Sequence, residues 1–145
     1  MSNQPIDAEF VIYRLEEAGR TLLSLPNVGC MPAGYKSNWP EVVHAALEAY
    51  GYTPEMAKAP CPSPKKIGRM DEAMRWVAFI PEARSQHRRI VLMRSLVHPI
   101  TERHRWSWRR LGDTFGWDRR AVQLWHGQGI DMIVNEMRRR NVDAA

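Results

Sequence analysis

Residues 108–127, WRRLGDTFGWDRRAVQLWHG, constrain the fold more than any other stretch, because glycines at 112 and 116 interrupt two otherwise amphipathic helices. A small residue in the middle of one helix lets a second helix cross close to it. A glycine in the connecting turn supplies the positive φ that L side chains resist. Gly112 meets the first need and Gly116 the second. Leu111 and Phe115 then face inward from the first helix, Trp117 packs beneath the turn, and Val122 and Trp125 anchor the second helix. Residue types in this order predict a helix-turn-helix, two helices locked at a steep angle.

Asp118 stands where it can cap the second helix by accepting from the free amides of its first turn. Arg119, Arg120 and Gln123 then point outward from the N-terminal part of that helix, the part that enters the major groove when such a motif binds DNA. Arginine takes guanine O6 and N7 together and glutamine takes adenine N6 and N7, so these three are the expected base-reading residues. Arg109 and Arg110, with Arg103 and Arg105 before them, are the expected phosphate contacts. Residues 1–80 hold 8 Lys/Arg against 9 Asp/Glu, a balance of −1, whereas residues 81–145 hold 13 against 7, a balance of +6, and all 13 are arginine. The planar guanidinium fork suits phosphate and guanine edges, although a solvated basic surface has the same composition.

The rest of the chain reads as helices separated by proline-rich stretches. A first helix is expected from about Asp7 to Leu25, with Val11, Leu15, Ala18, Leu22 and Leu25 on one face. That stripe serves either the core or a short two-stranded coiled coil. Residues 26–39 form a loop of unassigned role. A short helix follows from about Trp39 to Tyr50, capped by Asn38 and stopped at Gly51. Four prolines within residues 53–66 mark a linker. Beyond it, helices are expected over about Ile67 to Ile80, with Ile67, Met70, Met74 and Val77 inward, and over about Glu82 to Val97, burying Ala83, Ile90, Met93 or the stem of Arg94, and Val97. Strand-like alternation is missing throughout. The expected fold is all-α, with a helical N-terminal region over 1–66 and a trihelical helix-turn-helix domain over 67–145.

The segment from about Glu82 to Arg140, and SWRRLGDTFGWDRRAVQLWHGQGIDMI within it, resembles the trihelical module of sigma-factor region 4 and its relatives in phage and bacterial regulators. Two features depart from that pattern: Asp118 would repel a nearby phosphate, and Gly127 and Gly129 are expected to weaken or bend the recognition helix. RLEEAGRTLLSLP, GYKSNWPEVVHAALEAYG and MDEAMRWVAFIP are similar to segments of an uncharacterised phage and proteobacterial family in which they precede a helix-turn-helix. The resemblances imply a DNA-handling protein of a phage or mobile element. In the leading expectation it is a transcriptional regulator, its N-terminal half mediating dimerisation or contact with RNA polymerase. Alternatives are a small terminase subunit, which would assemble as a ring, and a module that docks another protein.

Other chemistries find little support. His44, His87, His98, His104 and His126 form no HExxH or comparable ligand pair, and Cys30 and Cys61 no CxxC, so neither a metal site nor a cofactor is expected. No GxxxxGK[ST] or GxSxG is present, and Glu16 and Glu17 are neighbours that diverge by about 100° around a helix, so the chain is not expected to be an enzyme. Trp106, Trp108, Trp117 and Trp125 suit packing better than single-strand stacking, which wants a sheet. The N-terminal MSNQPIDAEF lacks a signal peptide's basic and apolar regions, and no run is long enough to span a bilayer, so a cytoplasmic protein is expected.

Overall fold

The computed structural model describes residues 5–25 and 61–144. Among them are five α-helices: α1 (Ala8–Ser24), α2 (Pro64–Trp76), α3 (Ser85–Ser95), α4 (Trp108–Phe115) and α5 (Arg119–Ala144). Short 3-10 turns at Val77–Phe79 and Glu82–Arg84 join α2 to α3. The described residues contain no strand, only an isolated antiparallel bridge between Val97 and His104. The fold is all-α, an N-terminal pair (α1 and α2) followed by a C-terminal triad (α3 to α5). The expected loop 26–39, the helix Trp39 to Tyr50 and most of the 53–66 linker lie outside the described residues.

The Asp7 carboxylate caps α1 by accepting from the Phe10 amide at 2.8 Å. All five residues of its stripe, Val11, Leu15, Ala18, Leu22 and Leu25, are at most 4% exposed, so the stripe is core within the chain. It packs on α2, α3 and α5. A polar clasp reinforces the α1–α2 contact. Arg14 lies over the Trp76 ring at 4.9 Å and 3.7 Å from Glu72, while Arg69 donates to Glu17 at 2.8 Å.

Several boundaries differ from expectation, and α2 ends at Trp76, where the 3-10 turn Val77–Phe79 replaces the helix expected to reach Ile80. Pro64 opens α2 three residues before Ile67, because Ser63 caps it by accepting from Lys66 N and a proline is tolerated in the first turn. Residues 82–84 form a separate 3-10 turn with Ala83 exposed, so α3 begins only at Ser85. Within α3, His87, Ile90, Val91, Leu92 and Ser95 are all buried, more than one face of a helix. Its neighbours explain this, since α1 and α5 both cover α3.

Two glycines make that double cover possible. A Cβ on Gly19 of α1 would fall on the carbonyl oxygen of Ser95, at the end of α3. A Cβ on Gly129 of α5 would stand 2.7 Å from Val91 Cγ2 and 3.3 Å from Ile80 Cδ1, both side chains fully buried. Gly68, on the exposed side of α2, has nothing within 4 Å of the same position. In urea unfolding, Gly19→Ala should therefore cost about 3 kcal/mol and Gly129→Ala about 2 kcal/mol, as overpacking does. Gly68→Ala should instead stabilise by about 0.5–1 kcal/mol. A neutral Gly19→Ala would contradict the close approach of α1 to α3.

Candidate nucleic-acid interface

The α3–α4 connection reverses the chain through a tight turn. His98 N donates to Arg103 O at 2.9 Å and Arg105 N to Leu96 O at 2.8 Å, and Glu102 takes the left-handed conformation at φ 60°. The Glu102 carboxylate accepts from Arg20 of α1 at 2.8 Å, which ties the turn to the N-terminal pair. Ser107 then caps α4 by accepting from Arg110 N at 3.1 Å.

Gly116 ends α4 with φ 72°, the left-handed turn residue expected there. Gly112 is buried, and the element nearest to it is the turn before α5 rather than the body of the crossing helix. Its Cβ would stand 2.6 Å from the Trp117 carbonyl oxygen, and Trp117 N donates back to Gly112 O at 2.9 Å. Leu111 and Val122 are fully buried, while Phe115, Trp117 and Trp125 are half-buried around the turn. Phe115 and Trp117 stack at 4.8 Å, Trp117 meets Trp125 edge-on at 5.4 Å, and Trp125 reaches His87 of α3 at 5.9 Å. All seven packing residues of the motif are thus brought together.

Asp118 caps α5 with both its groups. Its carboxylate accepts from Arg120 N at 2.8 Å and its carbonyl from Val122 N at 3.0 Å. The helix runs unbroken to Ala144, through both Gly127 and Gly129. Gly129 is its contact with α3, and that packing offsets the low helix propensity of glycine. A half-buried hydrogen bond between His87 Nε2 and Gln128 Oε1, 2.9 Å, holds the same crossing.

Arg119, Arg120 and Gln123 are exposed on the first turns of α5, and no ion pair engages the two arginines among the described residues. Arg103, Arg105, Arg109 and Arg110 form a second group on the α3–α4 turn and the start of α4. Arg110 lies over the Trp106 ring at 4.4 Å and donates to Arg105 O at 3.1 Å, which fixes its direction. Arg109 is 3.8 Å from Asp113 in an exposed pair, and Arg105 is half-buried. A residue the sequence reading passed over is Leu124, 59% exposed beside Gln123 and one turn beyond Arg120. Its signal was the four-residue step from Arg120.

Behind this surface Arg94 stacks over Trp108 at 4.2 Å, and Trp108 meets His126 edge-on at 5.1 Å. Burial, aided by the charges of Arg94 and His104, pushes the His126 imidazole down to about 4 from its ordinary 6.5. His126 is therefore neutral at pH 7 in the fold. Among the described residues no group of three His, Cys, Asp or Glu gathers as a metal site would require. No described helix is long and apolar enough to cross a membrane.

A family model described as a domain of unknown function (DUF6362) matches residues 23–133, and the chain belongs to that family. No curated protein matches. No solved structure matches either.

The position of His126 sets a pH dependence of stability. The unfolded chain takes up a proton near pH 6.5 and the folded chain only near pH 4, so unfolding gains protons across that window and stability falls as pH is lowered through it. The loss should approach about 2–3 kcal/mol by pH 4. Urea unfolding of His126→Gln between pH 7 and pH 4 should show a slope flatter by that amount, whatever its stability at pH 7. An unchanged slope would mean that His126 titrates alike in both states.

Proposed function

We propose that this member of the DUF6362 family binds double-stranded DNA through α4, the Gly116 turn and α5, reading a short sequence with Arg119, Arg120 and Gln123. One observation carries the reading. The first turns of α5, fixed by the Asp118 cap and the Gly112–Trp117 contact, present to solvent a glutamine and two arginines that have no ion pair among the described residues. Such a helix end, rigid behind and cationic in front, fits a major groove lined by guanine and adenine acceptors and flanked by phosphates.

Arg103, Arg109 and Arg110 supply the sequence-independent part of the affinity in this proposal, from the α3–α4 turn and the start of α4. The Trp106 stack leaves Arg110 ordered before DNA arrives, so less side-chain entropy is lost on binding. The biological role that fits best is regulation of transcription for a phage or mobile element. It rests on the likeness of the motif to region 4 of sigma factors and related regulators.

Retention of a random duplex pool by the purified chain across a salt series tests the proposal. Affinity should fall steeply as salt rises, since each neutralised phosphate releases counterions. The chain should also enrich one motif. Arg120→Ala should weaken binding to that motif by about 1–3 kcal/mol and relax the preference at one base pair, whereas Arg109→Ala should weaken all duplexes alike and reduce the salt slope by about 1. No retention of duplex at low salt would overturn the proposal and favour a surface that docks protein.

A further inference from the structure

We infer that the reading face of α5 extends beyond its arginines, and that Leu124 packs against the 5-methyl group of a thymine in the bound duplex. The inference rests on the DNA-binding reading above.

Arg120, Leu124 and Gly127 follow at steps of four and three along α5, with Gln123 beside them, so they share one face. The helix buries the other side through Val122, Gly129, Ile130 and Ile133. Leu124 is 59% exposed at the centre of the outward face. A lone exposed leucine is ordinary. This one stands beside exposed hydrogen-bonding groups, one turn from an arginine that has no ion pair among the described residues.

Gly127 shapes the surface beside Leu124. Gly19, Gly112 and Gly129 each face an atom that a Cβ would strike, and Gly116 needs its positive φ. Gly127 has φ in the ordinary range and nothing within 4 Å, although glycine inside a helix is destabilising relative to alanine. No contact among the described residues requires it, a property it shares with Gly68 of α2. On the outward face its effect is to leave the surface low just past Leu124, where an incoming groove wall can approach the helix backbone.

The occupant follows from the chemistry of the face. Arg119 and Arg120 call for an anionic partner, which a duplex supplies along both edges of its groove. Of the four base pairs seen from the major groove, those containing thymine present a methyl group, and an aliphatic side chain is its natural neighbour. A guanine for Arg120 beside a thymine for Leu124 is the arrangement this face accommodates.

The test uses the full chain and two random duplex pools of about 20 base pairs, one made with thymidine and one with deoxyuridine, which lacks only the methyl group. The motif enriched from the thymidine pool should contain one position where deoxyuridine lowers affinity about fourfold, the worth of one buried methyl. Leu124→Ala, an exposed and helix-favouring change, should bind both duplexes equally at that position and keep the salt slope of the unaltered chain. Selective binding with no methyl-sensitive position would overturn the role of Leu124 and leave the DNA reading intact. So would a methyl sensitivity that survives Leu124→Ala. Retention of neither pool would overturn both.

Discussion

The fold depends on how closely two helices approach α3. Gly19 of α1 lies against the backbone at Ser95, and Gly129 of α5 lies against Val91 and against Ile80 of the α2–α3 connection. A methyl group at either position would force neighbours apart that have nowhere to move, because interiors are packed to crystal density. With both glycines in place, α3 is enclosed on two sides. His87, Ile90, Val91, Leu92 and Ser95 can then all be buried at once.

This enclosure carries through to the candidate interface. Ile130, Ile133 and Val134 of α5 belong to the same core as Val11 and Leu15 of α1. The N-terminal turns of the same helix carry Arg119, Arg120, Gln123 and Leu124. The surface offered to a partner is therefore one end of a rigid element whose other part is core, an arrangement that positions side chains better than a loop would. On the far side of the motif, Arg20 holds the α3–α4 turn through Glu102, so α1 also supports the helices that would meet DNA.

Local chemistry was legible in the sequence where it depends on neighbours a few residues away. The α1 stripe, the turn at Gly116, the small residue at Gly112 and the Asp118 cap all belong to that kind, since each follows from helix period or turn stereochemistry. Features set by distant chain were not legible. Gly129 reads locally as a helix weakener and is a helix contact, because the reason lies in Val91, far away in sequence. Helix α3 has apolar residues on several sides and thus no clean period, so periodicity does not mark its start at Ser85 or show that Ala83 is exposed. For the interface, exposure of Arg119, Arg120 and Gln123 follows from their place in the motif. The fixing of Arg110 by Trp106 needed the reversal of the α3–α4 turn, which no periodicity encodes.

The most direct measurement is an amide NMR titration of the full chain with a mixed-sequence duplex at low salt. Shifts should concentrate on residues 103–127, at the α3–α4 turn, α4 and the first turns of α5, while the buried amides of α1 and α3 hold still. Shifts centred on α1 or α2 would contradict it. So would a spectrum unchanged by DNA, since the exposed arginines of α5 would then have no nucleic-acid partner.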